Sequence, residues 1–174
     1  MPLNEADTRA KLIDPLLHQK GWTEDLISRE ETERGIEIID GKPQRREKGR
    51  IDYLLRIKVN ANSQPISVAL IEAKKEDELP TKGLEQAKKY ARLNHVYFVF
   101  SSNGHRFVEY DSFTGKTSPP KSMSEFPSPL ELRIRVEQGL GISFEDEKAK
   151  PLLVPYPKGE ASRRYYQDAA IRAA

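Results

Sequence analysis

The sequence contains no cysteine, which excludes disulfides, thiolate zinc sites and cysteine nucleophiles together. Charge of one sign is also scarce. The 29 Lys and Arg against 27 Asp and Glu leave a net charge of +2, too little to announce nucleic acid globally, so any basic surface must be local. No apolar run approaches a membrane span, and the N-terminus has no secretory apolar segment. A cytoplasmic protein with no membrane partner is therefore expected. The histidines, His18, His95 and His105, are scattered and never pair at metal-ligand spacing. Internal repeats and low-complexity tracts are absent as well.

What is there is a chain of 174 residues, 37% hydrophobic and 32% charged, enough for one domain with a sizeable core and a fragment of another. Asn4 to Lys20 reads as a helix, with Asn4 as N-cap, Glu5 and Asp7 in the first turn, and Leu12, Ile13, Leu16 and Leu17 as an apolar stripe. Pro15 predicts a kink within it, and Gly21 a stop. Leu26-Ile27 starts an extended segment, and residues 35–39 form a short β-rich run before the turn Gly41-Lys42-Pro43. Leu84 to Leu93 is the next helix. Val96 to Phe100, rich in aromatics and β-branched residues, predicts a central buried strand, with Arg106 to Tyr110 as its hairpin partner. Ser128-Pro129 opens a helix, through about Gln138, that Gly139 and Gly141 end. Helices alternate with strands, which gives an α/β fold: a mixed central sheet flanked by helices.

The chemistry concentrates in residues 49–75. Two apolar runs flank Val59-Asn60-Ala61-Asn62-Ser63-Gln64-Pro65, whose Asn, Ser and Pro form a turn, so the stretch predicts a β-hairpin. Asp52 opens the first strand and Glu72 and Lys74 close the second. Side chains two apart on a strand share a face, and antiparallel pairing sets the start of one strand beside the end of the next. Two carboxylates and one ammonium then converge at one end of a sheet. A Glu-x-Lys pair at a strand end is common as plain solvated charge. The chemistry that needs this trio is metal-assisted phosphodiester cleavage. Mg2+ takes one or two carboxylates, here Asp52 and Glu72, with the Ala73 carbonyl as a third ligand. Lys74 either handles the attacking water or steadies charge on the phosphate. Its carboxylate neighbours raise its pKa and favour the electrostatic role.

Around the trio, Arg45, Arg46, Lys48 and Arg50 precede Asp52, either as a solvated loop or as a hold on DNA phosphates. Lys88 and Lys89 on the following helix read the same way. Gln86 and Tyr90 lie at i and i+4 on one helix face, expected to be the face toward Lys74.

Asp52 followed by Glu72-Ala73-Lys74 resembles the PD-(D/E)xK nuclease signature, with Ile51 where the proline usually stands. Gln86-Ala87-Lys88-Lys89-Tyr90 resembles the Gln-x-x-x-Tyr element of the nuclease domain in the R (HsdR) subunit of type I restriction enzymes, which RecB-like nucleases also carry. Glu5-Ala6-Asp7-Thr8-Arg9 followed by Gly21-Trp22 resembles the start of that R-subunit domain. The resemblance implies a restriction-endonuclease-like core over residues 1–150. It also implies catalytic Asp52, Glu72, Lys74, Gln86 and Tyr90, with Glu5 as an additional aid to the metal site. It implies double-stranded DNA as substrate, Mg2+ (Mn2+ substituting) as cofactor, and methyltransferase and specificity subunits as partners.

Residues 151–174 are expected to be a Pro-rich linker and the start of a superfamily-two helicase motor. Residues 164–171 resemble its Q motif, in which Gln167 would read the adenine of ATP. ATP is then a ligand only through a motor beyond this chain. Thr114-Gly115-Lys116-Thr117 mimics the tail of a phosphate-binding loop, but Tyr110 stands where the upstream glycine is needed, which predicts a turn. Two other readings share the residues: a stand-alone repair or recombination nuclease of the same fold, and a non-catalytic docking domain with a degenerate site.

Overall fold

The computed structural model describes residues 1–32, 36–39, 42–45, 50–93 and 95–154, with side chains for 1–30, 50–92 and 95–154. The expected linker and Q motif, Gln167 included, lie mostly outside the described residues.

The chain opens with a helix in three parts: α1 (Glu5–Thr8), a π-helical stretch (Arg9–Ile13) and α2 (Asp14–Gln19). Asn4 caps it, its side chain accepting from the Asp7 N–H at 2.8 Å. The helical ladder is irregular just where Pro15 is expected to disturb it: the π stretch ends at Ile13, and the Asp14 N–H reaches back to the Arg9 carbonyl. Widening the ladder there lets the helix run through a residue that has no N–H to offer. Leu17 and Ile13 face the core, and Trp22 follows, fully buried, its indole N–H donating to the Pro127 carbonyl at 2.9 Å.

Strands β1 (Ile27–Thr32), β2 (Ile36–Ile39), β3 (Lys42–Arg45), β4 (Arg50–Ile57) and β5 (Ile66–Ala73) come next. The β4–β5 hairpin is as expected, with Tyr53 opposite Ile71 and Leu54 opposite Leu70. The extended segment expected from Leu26-Ile27 supplies the strand at its outer side. It is β1, paired antiparallel to β4 with Ile27 opposite Leu55 and buried. The 36–39 run instead pairs with Lys42–Arg45 in a separate two-stranded sheet, its nearest partner along the chain.

A 3₁₀ turn (Pro80–Gly83) leads into α3 (Leu84–Leu93), the crossover that makes β6 (Phe98–Ser102) parallel to β5. This strand begins two residues later than expected, because the Val96 N–H is spent on the Ala91 carbonyl that closes α3. It extends through Ser101 and Ser102, both buried. Strands β7 (Arg106–Asp111), β8 (Lys116–Thr117) and β9 (Lys121–Ser122) complete a mixed sheet of order β1-β4-β5-β6-β7-β8, β9 also pairing with β7. The phosphate-loop mimic is a turn between β7 and β8, its Gly115 N–H donating to the Asp111 carbonyl at 2.8 Å.

Helix α4 (Pro129–Leu140) starts with a capping box between Ser128 and Glu131. Gly139 does not end it. That glycine sits inside the last turn because a Cβ would run into the Phe113 ring, at 2.5 Å, and Gly141 at φ 68° supplies the left-handed cap. A short α5 (Lys150–Leu153) closes the described part.

Two cores cover the two sheet faces. The larger packs the first helix and α4 through Ile13, Leu17, Leu132 and Val136 onto Leu55, Ile71, Phe98 and Phe100. The smaller packs Leu84, Ala87 and Ala91 of α3 onto Leu54, Leu70 and Val99. Among the described residues no helix is long and apolar enough to cross a membrane.

Candidate active site

Strand alternation fixes the site. Leu54 and Leu70 face α3. Asp52 and Glu72, each two residues away, fall on the same face, and continuing the Tyr53–Ile71 register by one residue sets them opposite each other. Both are buried, at 5% and 6% exposure, where a carboxylate needs partners. Asp52 Oδ2 accepts the Ala73 N–H at 2.8 Å, a bond across the hairpin, and Oδ1 lies 3.2 Å from Arg9 Nη1. Glu72 Oε1 accepts from Lys74 Nζ at 2.7 Å.

The first helix and α3 wall an open cleft of about 320 Å³ over this pair, lined by Glu5, Arg9, Arg50, Asp52, Glu72, Gln86 and Tyr90. Glu5 and Arg9 are one helical turn apart and so share a face. Gln86 and Tyr90 do the same on α3, the Gln86 amide donating to the Tyr90 hydroxyl at 3.1 Å. The structure thus gathers Asp52, Glu72, Gln86, Tyr90, Glu5 and Arg50 around one cleft, while Lys74 pairs with Glu72 but is not itself among the residues that line it.

The expected basic groups are placed less uniformly. Arg50 pairs with Glu30 at the cleft rim. Lys88 turns toward β7, its ammonium 4.5 Å from the centre of the Tyr110 ring and 2.7 Å from Glu85. Lys89 is exposed on α3. Arg45 ends β3, where only its backbone is described, and Arg46 and Lys48 lie outside the described residues.

Burial and neighbouring charges shift both members of the Glu72–Lys74 pair. Burial pushes the Glu72 carboxyl above its ordinary pKa, and the Asp52 and Glu5 charges add to that, while Lys74 only partly offsets it. Burial pulls the Lys74 ammonium down, but the Glu72 hydrogen bond and the charges of Glu72, Glu5 and Asp52 together win, so its pKa is raised. Lys74 is a protonated donor in this state. Among the described residues, no group of three or more His, Cys, Asp or Glu side chains is placed to hold a metal ion. Two buried, oxygen-donating acids are placed together, the donor type and number that Mg2+ commonly takes from a protein.

Three residues at the site receive no role from sequence alone. Arg9 bridges Asp52 and Glu30. Gly83 abuts Glu72, Lys74 and Ser101, and Ser101 is buried beside Glu72 in the parallel register. For Arg9, the i, i+4 spacing from Glu5 is a signal the sequence does carry.

Fold and site together define a restriction-endonuclease-like α/β domain with paired acids and a lysine at one sheet end. No protein-family model matches the chain. It is 34% identical over 136 residues to the endonuclease subunit of the type I restriction enzyme EcoAI from Escherichia coli, a match over 75% of this chain and 16% of that protein. It also superposes, with a TM-score of 0.71 and 36% identity, on a fragment structure described as an HsdR subunit of a type I restriction enzyme from Vibrio vulnificus YJ016, over 90% of this chain and 29% of that one. The chain is thus homologous to type I restriction enzyme R (HsdR) subunits, over their N-terminal nuclease domain, and spans a minor part of the length of these relatives. That homology supports a nuclease role.

Proposed function

We propose that this domain cleaves double-stranded DNA endonucleolytically, with Mg2+, as the nuclease part of a type I restriction enzyme R subunit. The observation that carries the reading is the convergence of Asp52 and Glu72 on one face of the hairpin end, with Lys74 held 2.7 Å from Glu72. The two acids would hold the ion, with the Ala73 carbonyl and Glu5 as further donors. When bound, Mg2+ lowers the pKa of a coordinated water and neutralises phosphate charge. Lys74, protonated, steadies the charge that develops on the phosphate. Gln86 and Tyr90 position the substrate from the opposite wall of the cleft. Arg50 at its rim, with Lys89 and the basic 45–48 segment, holds DNA phosphates, whose charge every nucleotide supplies. In this reading the ATP-driven motor and the methyltransferase and specificity subunits belong to the larger assembly.

The test is alanine substitution of Asp52, Glu72 or Lys74 in an R subunit carrying this domain. Plasmid cleavage is expected to vanish while ATPase activity stays. Cleavage that persists in those variants overturns the assignment. A docking domain with a spent site is separated by titration: Mn2+ should bind in a manner that Asp52→Asn abolishes.

A further inference from the structure

Arg9 stands between two carboxylates. Its Nη1 is 3.2 Å from Asp52 Oδ1 and its Nη2 is 3.3 Å from Glu30 Oε1. The Asp52 side chain is 7% exposed and that of Glu30 50%. Asp52 Oδ2 faces the hairpin backbone, where it accepts the Ala73 N–H, and Oδ1 faces the first helix. Arg9 covers Oδ1.

Glu30 is itself unusual. It has φ 57°, in the left-handed region that a residue with a Cβ rarely enters. The β1–β4 ladder runs from Arg29–Tyr53 to Glu31–Ile51 and skips it, so the strained residue lies across from Asp52. Its carboxylate is held by Arg9 and by Arg50. Strain of this kind is kept where the surroundings enforce it, and it concentrates at working sites.

We propose that Arg9 is an exchangeable counter-ion. It holds Asp52 while no divalent cation is bound, and it shifts its weight onto Glu30 when a cation takes Oδ1. The inference rests on the nuclease reading of Asp52 and Glu72. The reason is charge: two cations on one buried carboxylate oxygen repel strongly at short range. A planar guanidinium presents five donors in a fixed fork, so its Nη1 and Nη2 face the two acids at once. Glu30, the more exposed acid, keeps the displaced guanidinium in the cleft. The two partners of the metal acid then act with opposite sign. Arg9 competes with the cation, and Glu30 relieves that competition.

The experiment is Mn2+ binding to the full chain by titration calorimetry, for wild type, Arg9→Gln, Glu30→Gln and Asp52→Asn, each checked for folding by circular dichroism. Arg9→Gln should bind Mn2+ about tenfold tighter than wild type, and Glu30→Gln about threefold to tenfold more weakly. A folded Arg9→Gln protein that binds no tighter than wild type overturns the proposal, as does tighter binding by Glu30→Gln. If Arg9→Gln does not fold, Arg9→Met, which keeps an apolar stem and drops the charge, replaces it with the same expectation of tighter Mn2+ binding, and a folded Arg9→Met protein that binds no tighter than wild type overturns the proposal. If wild type binds no Mn2+, or Asp52→Asn binds as well as wild type, the nuclease reading itself fails.

Discussion

Gly83 offers a substitution whose effect can be worked from contacts. It is buried at the end of the 3₁₀ turn before α3, with φ outside the left-handed region, so alanine meets no backbone penalty there. The obstacle is steric. A Cβ on Gly83 would lie 2.6 Å from Glu72 Cγ, 2.9 Å from Ser101 Oγ, and closer still to Lys74 Cε. Carbon atoms pack best at about 3.5–4.0 Å, so Glu72 must retreat by roughly 1 Å. The Ser101 hydroxyl, buried without a hydrogen-bond partner, can rotate away. Glu72 and Lys74 can yield only by moving their ion pair or parting it. Overpacking of this kind costs about 1–3 kcal/mol of stability. A misplacement of ~1 Å at a catalytic group is enough for a ~100-fold loss of rate. Urea denaturation followed by Trp22 fluorescence should show the first, and plasmid cleavage by the R subunit carrying Gly83→Ala the second. Lys82→Ala, exposed on the same turn, should change neither. A Gly83→Ala domain with wild-type stability and wild-type cleavage would refute the claim that the turn holds the acid–lysine pair in place.

Arg135→Ala should destabilise by about 2–3 kcal/mol, read from urea midpoints. It strands Glu109, which is 7% exposed, and removes a guanidinium 4.2 Å from the Phe98 ring, although the partial exposure of Arg135 screens the pair. Ser128→Ala removes the hydroxyl that accepts from the Glu131 N–H and should cost about 1 kcal/mol in the same assay. Glu24 has its pKa lowered to about 2 by hydrogen bonds from Arg29 and then His18. Its contribution is therefore present above the ordinary carboxylate pKa and is lost as pH falls toward 2. Melting temperatures of wild type and Glu24→Gln should differ at pH 6 and converge at the acid end. A constant gap across that range would rule out the ion pair as its source.

Much of the fold is written in local patterns. The β4–β5 hairpin follows from two apolar runs about a turn, α3 from its spacing, and α4 from Ser128-Pro129. The rest comes from contacts that no window of sequence contains. β1 takes the place beside β4 because its register sets Ile27 opposite Leu55 in the core, a choice made across more than twenty residues. Gly139 reads as a stop signal, yet it is a clearance for Phe113, a residue in the turn between β7 and β8. The helix passes Pro15 because five residues before Asp14 adopt the wider π ladder, an option that a 3.6-residue template does not test.

The candidate site divides along the same line. Asp52, Glu72 and Lys74 are legible because two local rules suffice to bring them together, strand alternation and hairpin register. Gln86 and Tyr90 are legible because one helical turn joins them. Arg9, Glu30, Gly83 and Ser101 come from four further elements, and each matters only through what it touches across the fold. The first set names the chemistry; the second sets its resting charge and geometry. A sequence that kept Asp52, Glu72 and Lys74 but replaced Gly83 with a larger residue would still match the nuclease pattern, while its Glu72–Lys74 pair could not occupy the same space. Pattern and competence are thus separable here, and the turn before α3 is where they part.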